Sequence, residues 1–199
     1  MNARDRILAR LRGDIPPGRH PTPPRPTLSG DPVARFVTAL EGVAASCERL
    51  ADPADVPAAV QRYVDANGIE GGVAVAPALA RLDWPADMAL DIGTTDGSAR
   101  LAVSQARAGI AETGSLVMVS GPATPTRLNF LPDHQIVVLD AGSILRHLDD
   151  ALLLLNASMP RALNLVTGPS RTADVEQTIQ LGAHGPRSLH VLLIEQQRG

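Results

Sequence analysis

Apolar residues recur at two different spacings along this chain of 199 residues. In the first third they repeat every three or four positions, which is the spacing of one helix face. We predict three helices there, over residues 2–13, 33–50 and 54–66. Each begins at a residue that can cap a helix, Asn2, Asp31 or Asp52, and the two aspartates precede prolines that suit a first turn.

From residue 72 onward the apolar residues form short runs, several of them rich in valine and most bounded by glycine or proline, as in strands. These runs predict seven strands, at residues 72–76, 88–92, 101–104, 115–119, 135–140, 162–167 and 189–195. A longer regular segment, residues 143–156, predicts a helix capped by Ser143 between the fifth and sixth strands. A strand, a helix and a strand in that order predict parallel pairing of the two strands.

The helices and strands together predict an α/β fold. Aromatic residues make up only 2% of the chain, which also favours this class, because Ala, Val, Leu and Ile pack well between helices and parallel strands. We expect one domain, residues 31–199, preceded by an N-terminal helix and a proline-rich arm, residues 1–30.

The prolines of residues 15–26 exclude a helix or a central strand, so we expect an extended tether there. It is either a docking arm for a partner or a linker that lies on the surface.

Composition excludes several classes of function. All 18 basic residues are arginine, so the chain has no lysine for Schiff-base chemistry or for a lysine-based phosphate loop. A net charge of -3 with scattered arginines provides no basic stripe, and we expect no nucleic-acid binding. The common local motifs of dinucleotide, serine-hydrolase and zinc-protease sites are missing as well.

The single cysteine, Cys47, cannot form an internal disulfide or hold an iron–sulfur cluster, which needs about four thiolates. We place it on the apolar face of the predicted helix 33–50, as a buried structural thiol and not a nucleophile.

The N-terminus is not followed by the apolar core of a signal peptide, and no segment is long enough to span a membrane. We therefore expect a cytoplasmic protein.

Three loops carry the residue types that a small anionic ligand needs. The first, residues 109–115, joins two apolar strands through two glycines and displays Glu112 beside Thr113. Glu112 is a candidate general base, nucleophile or ligand-orienting acceptor, and Thr113 is a candidate hydrogen-bonding residue. The structural alternative, in which Thr113 and Gly114 simply form a turn, stays open.

The second loop, residues 167–176, follows a predicted strand at the edge where open α/β sheets bind ligands, and it is therefore the best candidate site. Arg171 can hold a carboxylate through two parallel hydrogen bonds. Ser170 and Thr172 add hydroxyl donors on either side of it.

Asp174 and Glu176 of the same loop are supporting candidates, although with Thr172 they could instead cap a short helix.

The third loop, residues 182–186, places His184 shortly before the last strand. His184 could act as an acid, a base or a metal ligand, or it could be a structural residue of a turn.

His134 precedes the fifth strand and is a further supporting candidate, which could hydrogen-bond in its turn or reach the same edge. Four candidates together contain enough oxygen and nitrogen ligands for one divalent metal: Glu112, Asp174, Glu176 and His184. No spacing makes them converge, so we predict no metal site.

The C-terminal third of the chain closely resembles the signature of the lactate-utilization protein C family, whose members carry a LUD domain. The resemblance is carried by Gly-Pro-Ser-Arg-Thr-Ala-Asp-Val-Glu-Gln at 168–177, by Gly-Ala-His-Gly-Pro at 182–186 and by a final apolar strand. Residues 110–117 resemble the central motif of the family, and residues 131–135 resemble its proline–histidine segment.

The resemblance implies a fold like that of ribose-5-phosphate isomerase, glucosamine-6-phosphate deaminase and CoA transferases, a Rossmann-like sandwich of mostly parallel strands with flanking helices. It also implies a subunit of a bacterial system that oxidises L-lactate to pyruvate together with two partner proteins that carry the iron–sulfur clusters. The single cysteine fits this division of labour, and we expect no cofactor on this chain. Whether the subunit binds substrate, supports the complex or abstracts a proton stays open.

If the subunit is catalytic, the carboxylate of lactate must be fixed and a proton removed while electrons leave to a cofactor elsewhere. In that interpretation Arg171 fixes the carboxylate and Ser170 and Thr172 orient it, while Glu112 or His184 takes the proton. Two alternatives come from other classes: a stand-alone acyl-transfer or sugar-phosphate enzyme with Glu112 as nucleophile or base, and a non-catalytic interaction subunit. Assembly into a homo-oligomer also stays open.

Overall fold

Two β-sheets with flanking helices form the framework of the protein. The computed structural model describes residues 2–13, 24–93, 95, 98–156, 158–172, 180–181 and 185–195. Within these residues the strands, numbered along the chain, are β1 Ser46–Leu50, β2 Val73–Val75, β3 Leu90–Ile92, β4 Leu101–Gln105, β5 Ala108–Ile110, β6 Ser115–Val119, β7 His134–Asp140, β8 Ile144–Leu145, β9 Leu163–Val166, β10 Arg171–Thr172, β11 Gln180–Leu181 and β12 Ser188–Ile194. The α-helices are α1 Ala3–Gly13, α2 Pro32–Gly42, α3 Val56–Asn67 and α4 Leu148–Leu155.

The larger sheet has six strands in the order β1-β12-β7-β4-β2-β3, and every neighbouring pair is parallel. The smaller sheet has the order β8-β5-β6-β9, with β6 antiparallel to both of its neighbours. A short antiparallel pair joins β10 and β11. The predicted α/β class with a mostly parallel sheet is confirmed.

Both faces of the larger sheet are buried, which explains why its strands are continuous apolar runs and not alternating ones. On one face, Val56, Ala59 and Val60 of α3 pack against Ile136 of β7 and its neighbours. On the other face, Phe36 and Leu40 of α2 pack together with Leu116 and Met118 of β6. The smaller sheet and α2 therefore share one side of the larger sheet, and α3 covers the other.

The predicted helix starts are confirmed. The Asp31 side chain accepts a hydrogen bond of 2.9 Å from the backbone N–H of Ala34, and Pro32 lies in the first turn of α2. Asp52 caps a short 3-10 turn that leads into α3. The Asn2 side chain accepts from the backbone N–H of Asp5 in α1. No helix in the described part of the chain is long and apolar enough to cross a membrane.

The predicted helix 33–50 is wrong in its second half. Helix α2 ends at Gly42, the chain turns at Ala44, whose φ is 62°, and residues 46–50 form β1. The reason is tertiary, because β1 pairs over its whole length with residues 190–194 of β12, from Ser46 opposite His190 to Leu50 opposite Ile194. Cys47 consequently lies on a strand and not on a helix face. Its side chain is half-buried.

The thiol of Cys47 is expected to react slowly with disulfide reagents. Burial raises the pKa of this thiol from 9.0 to about 11, so at pH 8 the reactive thiolate is about a hundredfold scarcer than at an unperturbed thiol. Because the pKa is raised, reactivity should keep rising with pH through 10. The check is the rate of labelling by 5,5′-dithiobis(2-nitrobenzoate) across this range, and a rate that levels off below pH 9 would contradict the expectation.

The predicted helix 143–156 is also too long at its start. Residues 141–143 form a 3-10 turn and residues 144–145 form β8, so that α4 begins only at Leu148, after His147. The local pattern of residues 143–147 is compatible with a helix, but Ile144 and Leu145 pair with β5 instead. Ser143 is therefore not the helix cap, and its hydroxyl donates to the carbonyl oxygen of Asp140.

The parallel pairing expected across this helix is wrong too. Strand β9 does not enter the larger sheet beside β7 but joins the smaller sheet, antiparallel to β6, with Leu116 opposite Val166. The place beside β7 is taken by β12, the last strand in the sequence. The seven predicted strands are all present, and the short strands β5, β8, β10 and β11 are additional to them.

Part of the proline-rich arm is described and lies against the domain. Arg25 forms ion pairs with Asp149 and Asp150 at the start of α4, at 3.4 and 2.8 Å. The guanidinium of Arg146 donates to the backbone carbonyls of Leu28 and Gly30. The arm from residue 24 onward is thus a surface segment, while residues 14–23 fall outside the described residues.

Candidate functional site

A cavity of about 220 Å³ lies where the loop after β9 meets the amino-terminal ends of β7 and β12. Its lining residues come from three segments: Asn129, Phe130 and Gln135 before and within β7, residues 165–170, and Gly185, Pro186 and Leu189. Two of them carry sequence-predicted loops, those around Ser170 and Gly185. The loop after β9 follows the carboxyl end of a strand of the smaller sheet, so the expectation that it lies at the carboxyl edge of the larger sheet is wrong.

One backbone hydrogen bond joins the two predicted loops. The N–H of Ser170 donates to the carbonyl oxygen of Pro186 at 2.8 Å. The contact is close, since a Cβ added at Gly185 would lie 3.3 Å from the Cβ of Ser170. The hydroxyl of Ser170, which is half-buried, thereby becomes part of the cavity wall.

A chain of three hydroxyls connects the β5–β6 hairpin to the same cavity. Thr113 Oγ1 lies 2.6 Å from Ser115 Oγ, and Ser115 Oγ lies 2.6 Å from Thr167 Oγ1. Thr167 lines the cavity. If each hydroxyl donates to the next in the direction of Thr167, the hydrogen of Thr167 is free for an acceptor in the cavity.

A buried amide cluster forms another part of the wall. Gln135, which is 1% exposed, donates from Nε2 to Asn129 Oδ1 at 3.1 Å and to Ser104 Oγ at 3.3 Å. Gln135 and Asn129 both line the cavity beside the apolar side chains of Phe130 and Leu189. Among the described residues, the cavity therefore offers hydroxyl and amide groups on an apolar background.

Glu112 lies elsewhere. It lines a separate, wider cavity of about 450 Å³ between residues 29–31 and the first turns of α2. Its Oε2 lies 3.5 Å from Nδ1 of His147, and its backbone N–H donates to the carbonyl oxygen of Arg146. The structure does not place Glu112 and Ser170 in one cavity.

Arg171 is exposed, and its Nη2 donates to the backbone carbonyl of Val43 at 2.9 Å. This contact fastens the loop to the end of α2, and Arg171 does not line the cavity. Thr172 lies in β10, and its side chain is outside the described part of the chain. Asp174, Glu176 and His184 also fall outside the described residues.

His134 faces away from the cavity. Neighbouring residues of a strand point to opposite faces, so His134 and Gln135 lie on different sides of the larger sheet. Nδ1 of His134 lies 3.2 Å from the hydroxyl of Tyr63 on α3. Burial lowers the pKa of His134 below its ordinary value, although the neighbouring Asp133 opposes the shift.

No group of three or more His, Cys, Asp and Glu side chains in the described part of the chain is arranged to hold a metal ion. The lining residues that sequence reasoning missed are Gln135, Asn129 and Thr167. Gln135 carries a signal in retrospect, because it is an uncharged polar residue inside an otherwise apolar strand.

Comparison with known proteins gives a family match that covers most of the chain. A family model described as the LUD domain matches residues 33–194. Lactate utilization protein C of Geobacillus kaustophilus is 25% identical over 168 residues, which cover 71% of this chain and 69% of that protein. An uncharacterized protein of Neisseria meningitidis serogroup B is 37% identical over 94 residues, which cover 46% of this chain and only 40% of that protein.

A solved structure has the same fold. The crystal structure of a DUF162 family protein from Deinococcus radiodurans matches with a TM-score of 0.62 over 85% of this chain and 100% of that one. The two are 18% identical, so this likeness concerns the fold alone. The match covers only part of each of these curated relatives. It spans 69% of the Geobacillus protein and 40% of the Neisseria protein.

Proposed function

The chain belongs to the LUD domain family, and from this premise we propose that it serves L-lactate utilisation by binding a small carboxylate. The observation that carries the proposal is the cavity formed by the loops around Ser170 and Gly185. Its size suits a ligand of a few heavy atoms, and its hydroxyls can donate to a carboxylate. The name of the Geobacillus relative, lactate utilization protein C, supports the same pathway.

In this proposal the carboxylate accepts hydrogen bonds from the hydroxyls of Ser170 and Thr167. Arg171, which sequence reasoning assigned to the carboxylate, instead supports the loop through its bond to the Val43 carbonyl. Glu112 lies outside the cavity, next to His147, and does not contact the carboxylate in this proposal. His184, which immediately precedes Gly185 in the sequence, is the proposed proton acceptor.

The oxidation of lactate to pyruvate releases two electrons and two protons, and we propose that the electrons pass to iron–sulfur clusters on partner proteins. The one cysteine of this chain is fewer than the roughly four thiolates that a cluster needs. A partner surface is available on α4, where Leu152, Leu153 and Leu154 are all exposed. Adjacent exposed apolar residues of this kind mark protein–protein contacts.

The test is growth on L-lactate as the sole carbon source. A strain of the source organism that lacks the chain should lose most growth on lactate, keep growth on pyruvate, and recover when the wild-type chain is returned. An affinity-tagged chain should also co-purify with iron–sulfur proteins. Unimpaired growth of the deletion strain on lactate would refute the proposed function.

A second candidate is a stand-alone acyl-transfer or sugar-phosphate enzyme, and one observation favours it. A cavity of about 280 Å³ lies at the carboxyl ends of β4 and β7, lined by Gln105, Arg107, Thr124, Asp140 and Ser143, among others. Ligands of open parallel sheets bind at this edge. Turnover of acyl-CoA or sugar-phosphate substrates by the purified chain, without partners, would support this second candidate over the first.

A further inference from the structure

The cavity formed by the loops around Ser170 and Gly185, which we call the Ser170 cavity, has an aromatic ring in its wall that remains in contact with water. The ring belongs to Phe130, which is 39% exposed and lines the cavity. Ligand cavities are typically lined by apolar and aromatic side chains together with a few polar groups that fix the ligand's orientation. The exposed ring therefore offers a contact surface for an apolar part of a ligand.

The bare backbone of Gly185 leaves room between this ring and a hydroxyl. A Cβ added at Gly185 would lie 3.7 Å from Oγ of Ser170 and 4.0 Å from Cδ1 of Phe130. Because all three residues line the cavity, a group at this position lies inside it. The hydroxyl and the ring consequently border the same space, and one small ligand can contact both.

The cavity is larger than lactate needs. Liquid water takes up about 30 Å³ per molecule, so a cavity of about 220 Å³ has room for about seven water molecules. Lactate has three carbon and three oxygen atoms, and covalently bonded atoms lie closer together than water molecules do. It therefore leaves part of the cavity empty, and that space forfeits the contacts that a larger side chain would make with the wall.

Resting on the proposed function, we propose that the Ser170 cavity takes 2-hydroxycarboxylates whose side chain is larger than the methyl group of lactate. The carboxylate accepts hydrogen bonds from the hydroxyls of Ser170 and Thr167, and the apolar side chain lies against Phe130 in the space beside Gly185. Phe130 and Gly185 are specificity-determining residues, because one supplies the apolar contact and the other leaves room for it.

The test titrates the purified full-length chain with L-lactate, L-2-hydroxyisovalerate and L-2-hydroxyisocaproate, followed by NMR. Burial of each additional methylene should strengthen binding about fourfold. The isovalerate homologue has two more carbons than lactate, so it should bind about 15-fold more tightly. The isocaproate homologue, with three more carbons, should bind at least as tightly as that.

Two variants locate the preference in the cavity. Phe130→Ala removes the ring, and Gly185→Ala places a methyl group in the space beside it. In each variant the preference for the isovalerate homologue over lactate should fall to about threefold or less, because the side chain loses its contact or its room.

Each variant has a matched control. Leu131→Ala also shortens an exposed apolar side chain, but Leu131 does not line the cavity. Gly42→Ala also adds a methyl group, at the last residue of α2, where no atom lies within 4 Å of an added Cβ. Both controls should keep the wild-type preference. Thermal melts of all four variants show which of them fold.

The proposal is overturned if the wild-type chain binds the longer acids no more tightly than lactate, or if folded Phe130→Ala or Gly185→Ala keeps the full preference. Should both variants fail to fold, the wild-type series decides, because affinity that rises with each added carbon requires an apolar wall at the ligand. A growth defect on lactate without the preference retains the proposed function and overturns only this substrate class. Normal growth of the deletion strain on lactate, with the preference intact, removes the proposed function and leaves the substrate class standing.

Discussion

Replacing Gly114 by alanine is expected to lower the free energy of unfolding by about 2–5 kcal/mol. The residue has a φ of 66°, which costs an L-residue about 1–2 kcal/mol. A Cβ at this position would also lie 2.4 Å from the backbone nitrogen of Leu40, so α2 would have to move away from the β5–β6 hairpin. Overpacking of this kind costs about 1–3 kcal/mol more. The measurement is chemical denaturation followed by circular dichroism.

Gly68 supplies a matched control for this expectation. Its φ of 57° is similar, but nothing lies within 4 Å of an added Cβ. Gly68→Ala should therefore cost only the backbone term of about 1–2 kcal/mol. Equal losses in the two variants would mean that the contact with α2 adjusts at no cost and that only the backbone angle matters.

Replacing Gly168 by alanine is expected to weaken ligand binding in the Ser170 cavity by more than about tenfold. Gly168 has a φ of 80°, and a Cβ there would lie 2.6 Å from the carbonyl oxygen of Val43. The loop must shift to relieve this contact, which separates Ser170 from Pro186 and displaces the hydroxyls of the cavity wall. Loss of one charge-assisted hydrogen bond weakens binding about tenfold or more, and displacement of two hydroxyls should weaken it further.

Lactate titration and complementation of the deletion strain measure this effect, with thermal melts to show that the variant folds. Gly71→Ala is the control, because its φ of 97° is equally unfavourable for alanine while no atom lies within 4 Å. It should retain lactate binding. Full binding and full complementation by Gly168→Ala would show that the loop is not part of the site.

The candidate site could be predicted from the sequence only in part. The loop around Ser170 stands out because Gly-Pro-Ser-Arg-Thr concentrates a turn, hydroxyls and a cation in a few residues. Glu112 stands out as a carboxylate beside a hydroxyl in a glycine-containing loop. It lies in another cavity, because the β5–β6 hairpin turns its carboxylate toward α2 and His147. Thr113 and Ser115 of this hairpin are the residues whose hydroxyls reach the cavity wall through Thr167.

Gln135 could not be placed in the cavity wall from the sequence, because its position there depends on residues that are distant along the chain. Its amide is held by Ser104, which lies 31 positions away, and it shares the cavity with loops that follow β9 and precede β12. No local pattern encodes these neighbours.

The sequence by itself determined the α/β class, the helix starts at Asn2, Asp31 and Asp52, and the positions of the longer strands, since caps and apolar periodicity are local properties of the chain. Only the tertiary structure decided that residues 46–50 form β1, that β9 leaves the larger sheet, and which loops meet at the cavity. Strand pairing joins residues far apart in sequence, such as Ser46 with His190 and Leu116 with Val166. The free energy of those pairings depends on the whole fold, and it overrides a local pattern that is compatible with either helix or strand.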